Sequence, residues 1–165
     1  MMRRVMLAVC VLVLAVGALR SAAEGRKAAP VFALKDQSGK LHELEKLRGK
    51  VVVLDFGRVI CMACQQALVD LGDIERQYRA KNVAVYSVNL GVPPEIVKRF
   101  VTEKKLQYPF LEDPGYEVTR KYEVRTIPYV VIIDKKGRIS RASAGHSPDF
   151  KKQITQEIDR LLAEK

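Results

Sequence analysis

Tryptophan is absent from this chain, histidine occurs twice and cysteine three times among 165 residues. So few soft ligands leave little room for a metal centre. Structural zinc asks for four ligands, and Cys61, Cys64, His42 and His146 are the whole supply beyond the N-terminal segment, with the histidines far from the cysteines in sequence. The expectation is no metal site. No uncharged apolar run is longer than Val5 to Leu19. Its 15 residues would rise only about 22 Å as a helix, short of the roughly 30 Å hydrocarbon core of a bilayer. Low-complexity tracts and internal repeats are also missing. The net charge is +10, yet no Lys/Arg block or aromatic-basic stripe is present, and nucleic acid is not an expected partner.

The N-terminal segment has its own logic. Arg3 and Arg4 precede the apolar run, and Ser21-Ala22-Ala23 follows it with small residues around a cleavage point. This is the layout of a secretory signal over residues 1–23, with an uncleaved membrane anchor as the alternative. Residues 24–30 read as a linker and 31–165 as one domain. Cleavage would remove Arg3, Arg4 and Arg20, leaving 26 Lys and Arg against 19 Asp and Glu, a net +7. Those charges are interspersed with acids. They read as a solvated basic surface, or more sharply as weak attraction to an anionic membrane surface. Cleavage would also remove Cys10 and leave Cys61 and Cys64 as the only thiols. A bridge across so short a loop constrains little chain entropy, so stapling is a poor reason for the pair.

Alternation and periodicity give the elements. Val31 to Leu34 and Leu41 to Glu43 flank Asp36-Gln37-Ser38-Gly39, the pattern of a hairpin. Leu44 to Arg48 reads as one helical turn stopped by Gly49. Val51 to Phe56 is a continuous apolar run with one acid in it, as in a strand buried on both faces. Ala67, Leu68, Leu71, Ile74 and Tyr78 recur at helical steps. Val83 to Leu90 is a second strand. Pro93-Pro94 opens a helix carrying Ile96, Val97, Phe100 and Val101, and Tyr116 to Tyr122 is a short helix. Tyr129 to Asp134, the Lys135-Lys136-Gly137 turn and Arg138 to Ala142 form a second hairpin. Phe150 to Leu162 is an amphipathic helix. Strands alternating with helices predict an α/β fold around a mixed sheet.

The chemistry concentrates in FGRVICMACQQ, Phe56 to Gln66. A Cys-x-x-Cys between a buried strand and a helix places the first sulfur at the helix N-terminus. Unpaired N–H groups and the positive dipole end there favour thiolate over thiol. The second sulfur lies one turn on, on the same side. Cys61 can then attack a disulfide and Cys64 resolve the product. Arg58 reads equally as an aid to that thiolate or as a solvated loop residue. Asp55 interrupts the apolar strand. A buried carboxylate titrates high and suits a proton acceptor for Cys64, unless alternation turns it to a solvated edge. Pro128 follows Arg125-Thr126-Ile127 and opens a strand, the place for a cis peptide that leaves Ile127 free to pair with an extended chain. Ile60 and Met62, the apolar neighbours of Cys61, join Ile127 and Pro128 as candidate substrate-contacting residues.

Taken together, APVFALKDQSGKLHELEKLRGKVVVLDF, CMAC and YEVRTIPYVVIIDKKGRI resemble the thioredoxin superfamily, and within it the exported TlpA/ResA-like thiol-disulfide oxidoreductases. The resemblance runs from about Ala29 to the C-terminus. It implies a thioredoxin-like α/β fold, a central mixed sheet flanked by helices with an N-terminal β-hairpin extension. It implies Cys61 and Cys64 as the redox pair, Pro128 as the cis-proline, and Asp55 at the place where cytoplasmic thioredoxins keep a buried aspartate and TlpA/ResA-like proteins more often have asparagine. It further implies an exported, periplasmic or extracytoplasmic monomer that reduces protein disulfides, for example in cytochrome c maturation. A membrane thiol donor would recharge it, and no organic cofactor is needed. The chain departs from the pattern at Gly57 and Ile60, where the family has tryptophan, and at Ala63, where it commonly has proline. The lysine that partners the buried aspartate falls near Ser87. These departures keep two other readings open: a binding or chaperone module with a structural disulfide, and a disulfide-forming oxidant. Peroxiredoxins share the opening but need P-x-x-x-T-x-x-C. Leu54 and Arg58 occupy the Pro and Thr places before Cys61, and Gly57 and Cys61 those before Cys64.

Overall fold

The computed structural model describes residues 25–164, so the signal or anchor expected over residues 1–23, Cys10 included, lies outside the described residues. A first hairpin pairs β1 (Ala33–Lys35) with β2 (Leu41–Glu43), and a 3-10 turn follows at Leu44–Leu47. β3 (Val51–Gly57) leads into α1 (Met62–Tyr78), then β4 (Val83–Asn89) and α2 (Pro94–Glu103). β5 (Phe110–Glu112) and α3 (Glu117–Lys121) come next. The chain ends in β6 (Tyr129–Ile133), β7 (Ile139–Ala144) and α4 (Phe150–Ala163).

The main sheet has the order β5-β4-β3-β6-β7. β4 runs parallel to β3 and to β5, while β6 is antiparallel to β3 and to β7. β3 is therefore the central strand, and all seven of its residues are buried. Period-two alternation divides them between two cores. Val51 and Val53 share one with Leu68, Leu71 and Ile74 of α1, Val97 and Phe100 of α2, and Ile154 and Ile158 of α4. Val52, Leu54 and Phe56 share the other with Phe32 and Leu44 of the hairpin region and with Val118 and Tyr122. Asp55 has the parity of Val51 and Val53, so it points toward the α1 side.

Several sequence expectations move. The first strand begins at Ala33 rather than Val31, because three-residue β2 offers Ala33 its last partner, Glu43, and leaves Val31 exposed. β5 is not visible in the sequence pattern: three residues between Pro109 and Asp113-Pro114 are too few to show a period. β7 starts at Ile139, since the backbone N–H and guanidinium of Arg138 are both held by the Asp134 carboxylate inside the turn. The stretch read as a linker is bound into the domain from Arg26 onward. Arg26 pairs with Asp134 at 3.0 Å and Glu164 at 2.7 Å, and the Ala29 N–H donates to the Gly137 carbonyl. Among the described residues no helix is long and apolar enough to cross a membrane.

Asp36 ties the first hairpin. Its carboxylate accepts from the Ser38 N–H and hydroxyl, the Lys40 N–H and His42 Nε2. Burial works against the charge, but these donors outweigh it and hold the pKa at about 2, below the ordinary 3.8. The ionised form thus stabilises the fold above pH 3.8, and this contribution is lost as pH falls through about 2. Asp36→Ala is expected to cost about 1–3 kcal/mol at neutral pH. In urea titrations its deficit against the parent should shrink below pH 4; a deficit that does not change with pH would exclude the charged tie.

Candidate active site

Three elements build the site at one end of the sheet. β3 ends at Gly57, the loop Arg58 to Ile60 follows, and α1 begins at Met62 with Cys61 as its N-cap. Cys61 is extended (φ −96°, ψ 121°), as N-cap residues are. Its Sγ receives the Cys64 N–H at 3.4 Å and the Cys64 thiol at 2.7 Å. A sulfur stands in the role usually taken by a Ser or Asp oxygen, at the positive end of the helix dipole. Both cysteines are free thiols; Cys61 is half-buried and Cys64 buried. The Arg58 carbonyl anchors the turn by accepting the Cys61 N–H at 3.1 Å. Its guanidinium lies exposed, 3.5 Å from the Tyr116 hydroxyl.

Beneath the helix lies Asp55, with no accessible surface. The solvated-edge alternative fails because β3 is hydrogen-bonded on both sides: Asp55 faces Ser87 of β4 and Val130 of β6. Ser87 donates its hydroxyl to Asp55 Oδ2 at 3.0 Å. Oδ1 has no protein donor among the described residues. Burial pushes the Asp55 pKa from 3.8 up to about 7, against the smaller pull of Ser87. Burial also pushes the Cys64 thiol up, helped by its bond to Cys61 and by the Asp55 charge nearby. A protonated resolving thiol and a carboxyl poised near neutrality are what proton transfer at neutral pH needs.

The second wall comes from the start of β6, the strand next to β3. Phe56 pairs in register with Tyr129, so Pro128 lies at the sheet end where β3 runs into the cysteine loop. The Ile127–Pro128 peptide is cis. Pro128 is buried and its carbonyl is taken by the Gly145 N–H. Ile127 is half-buried, and no hydrogen bond among the described residues uses its backbone N–H or carbonyl. Ile60 and Met62 stand out at 64% and 80% exposure on either side of Cys61. The histidines are occupied elsewhere, His42 with Asp36 at 2.7 Å and His146 with Asp70 at 2.8 Å. Among the described residues no group of three or more His, Cys, Asp or Glu side chains is placed to hold a metal ion. Sequence reasoning did not find Asn89. It pairs in register with Gly57, is buried, and keeps one amide oxygen unbonded. Only the register of two strands distant in sequence could have placed it there.

With this geometry in view, comparison with known proteins settles the lineage. The AhpC/TSA family model matches residues 26–142. The chain belongs to the AhpC/TSA family. Among curated relatives, the thiol-disulfide oxidoreductase ResA of Halalkalibacterium halodurans is 29% identical over 143 residues, covering 87% of this chain and 80% of that one. ResA of Geobacillus kaustophilus is 31% identical over 117 residues, covering 71% and 67%. The Chlorobium tepidum crystal structure described as a thiol:disulfide interchange protein DsbE superposes with a TM-score of 0.78 at 28% identity, covering 84% of this chain and 97% of that chain. A Neisseria meningitidis solution structure described as a thioredoxin gives 0.73 at 30% identity, covering 81% and 89%. The fold is thioredoxin-like, and the chain takes its place among the family's thiol-disulfide oxidoreductases.

Because Asp55 titrates higher in the folded chain than in the unfolded one, its burial costs stability as pH rises from 3.8 to about 7. Asp55→Asn is therefore expected to be more stable than the parent at neutral pH, by on the order of 2–4 kcal/mol. The gap should open between pH 4 and 7 in chemical denaturation and stay level above. Equal stabilities across that range would place the carboxyl in a solvated setting.

Proposed function

We propose that the protein is an exported thiol-disulfide oxidoreductase whose Cys61–Cys64 pair exchanges electrons with protein disulfides, acting as a reductant. The observation that carries the reading is the stacking of Cys61, Cys64 and Asp55 at the start of α1: an N-cap sulfur, a buried thiol hydrogen-bonded to it, and a buried carboxyl beneath. Cys61 attacks a substrate disulfide, forming a mixed disulfide and releasing one substrate thiolate. Cys64 then gives up its proton toward Asp55 and attacks the Cys61 sulfur. The second substrate thiolate leaves, and the Cys61–Cys64 disulfide remains. The electrons come from the pair itself, and no organic cofactor or metal enters the step.

Ile127 offers the substrate its free backbone N–H and carbonyl in the manner of strand addition. Ile60 and Met62 give it apolar contact on either side of the nucleophile. The relatives' name, thiol-disulfide oxidoreductase, supports exchange with disulfides; a reducing role in an exported compartment, such as keeping apocytochrome c thiols reduced, with a membrane thiol donor restoring the dithiol, rests on the TlpA/ResA-like resemblance. The N-terminal pattern of residues 1–23 supports export with cleavage, or anchoring to the membrane, and the protein acts as a monomer. Peroxidase chemistry is not part of the reading, because Arg58 stands where that motif needs threonine.

The decisive measurement is reduction of a disulfide substrate together with the midpoint potential of the pair. Cys61→Ser should abolish turnover, and Cys64→Ser should accumulate a mixed disulfide visible by mass spectrometry. The couple should lie nearer the roughly −270 mV of thioredoxin than the roughly −120 mV of DsbA. Turnover that survives Cys61→Ser would sink the enzyme reading, and a potential near the upper value would turn the protein into an oxidant.

A further inference from the structure

Arg58 differs from the arginines that tie this fold together. Arg26, Arg76, Arg79, Arg99, Arg138 and Arg160 all pair with carboxylates. Arg58 pairs with none among the described residues, and its one side-chain partner there is the Tyr116 hydroxyl at 3.5 Å. It is exposed, three residues before the nucleophile, and its carbonyl accepts the Cys61 N–H.

Tyr116 does not reach that place by default. Its backbone is left-handed (φ 54°, ψ 26°), a conformation that bulky residues seldom adopt. Asp113 holds it there. The Asp113 carbonyl accepts the Tyr116 N–H at 3.0 Å, and the carboxylate accepts the Glu117 and Thr119 N–H groups at 3.0 and 2.9 Å. At the other end of the ring, the hydroxyl rests against Gly91, whose φ is +66°. A Cβ on Gly91 would stand 2.2 Å from the Tyr116 hydroxyl oxygen, so a larger residue would push the ring away. Gly91 follows Leu90, whose N–H donates to the carbonyl of Gly57, the residue before Arg58. A left-handed tyrosine and a left-handed glycine thus meet beside the cysteine loop, and together they deliver a hydroxyl to the guanidinium. Strained backbone of this kind is kept where function needs it.

A hydroxyl oxygen steadies a guanidinium without cancelling its charge. The other donors of the Arg58 fork have no protein partner among the described residues, and their planar geometry matches a carboxylate. A protein disulfide that reaches Cys61 carries its flanking residues past this cation. We propose that Arg58, positioned by Tyr116, is a specificity-determining residue that binds an Asp or Glu side chain next to the substrate's disulfide. This deepens the redox reading and rests on it. The sulfur chemistry is unchanged, and the ion pair selects among disulfides. Exposed Ile60 and Met62 supply the apolar part of the same surface.

The test mixes the reduced protein with short peptide disulfides that differ only in Glu or Gln beside the cysteine, a quenched fluorophore reporting cleavage. Each rate is divided by the rate of the same peptide with dithiothreitol, which removes differences in intrinsic reactivity. The parent should favour the Glu peptide by about fivefold. Arg58→Gln should bring the ratio close to one. Lys104→Gln removes an equal charge just past the C-terminal end of α2 and should keep the parent's ratio. Tyr116→Phe keeps the ring against Gly91, removes the hydroxyl and should lower the ratio to about half of the parent's; a purely structural loss would slow both peptides alike and leave it unchanged. An equal preference for the two peptides in the parent overturns the proposal, as does a ratio that survives Arg58→Gln. A ratio lost as fully in Lys104→Gln reports net charge and also overturns it, and a parental ratio in Tyr116→Phe overturns the positioning role. Failure of the parent to cleave either peptide would instead strike the redox reading itself.

Discussion

A carboxyl group buried in the central strand of the sheet is the constraint around which this molecule is arranged. Asp55 is enclosed on every side, and among the described residues the Ser87 hydroxyl is its single protein donor. A charge so placed is costly, and folding tolerates it because the group can stay protonated up to about pH 7. That tolerance is what makes it useful. The same burial that lifts Asp55 toward neutrality lifts the Cys64 thiol above it, so the two share a proton problem that neither would have in water.

The rest of the architecture holds that pair in place. The two cores on either face of β3 fix the strand so that odd positions look toward α1. The helix starts at Cys61, and its first turn brings Cys64 back over Gly57 and Asp55. On the other flank, antiparallel β6 returns the chain to the same sheet end and presents Ile127 with its backbone unspent. The electrostatic ties lie away from this end. Asp36 locks the first hairpin, and Asp134 gathers Arg26, Lys136 and Arg138 around the β6–β7 turn. The stabilising ties thus rest on groups with depressed pKa values, and the proposed proton transfer on one with a raised value.

Where the resemblance implies a lysine and two tryptophans, this chain carries Ser87, Gly57 and Ile60. Ser87 carries no charge, so the Asp55 carboxyl receives a neutral hydrogen bond where a cation would hold it ionised. Gly57 removes an aromatic ring next to the resolving thiol, and Ile60 exposes an aliphatic surface beside the nucleophile. The fold brings Cys61, Cys64 and Asp55 together at this end of the sheet, with Ser87, Gly57 and Ile60 as their surroundings.

Local sequence determined much of this protein. Continuous β-branched runs specify buried strands, three- and four-residue spacing specifies α1, α2 and α4, and turn residues specify the two hairpins. Each signal depends on neighbours within a few positions, so it can be read along the chain. Cys61 and Cys64 were legible for the same reason, being one helical turn apart. Tertiary structure decided what depends on register between distant segments. It decided that Asp55 faces inward beside Ser87 and not a solvated edge, that Asn89 stands beside Gly57, that β5 exists, and that residues from Arg26 onward belong to the domain. Side-chain direction in a sheet reverses with a single step of register. Only the assembled strands could therefore say which polar groups share a face, and with them which could share a proton.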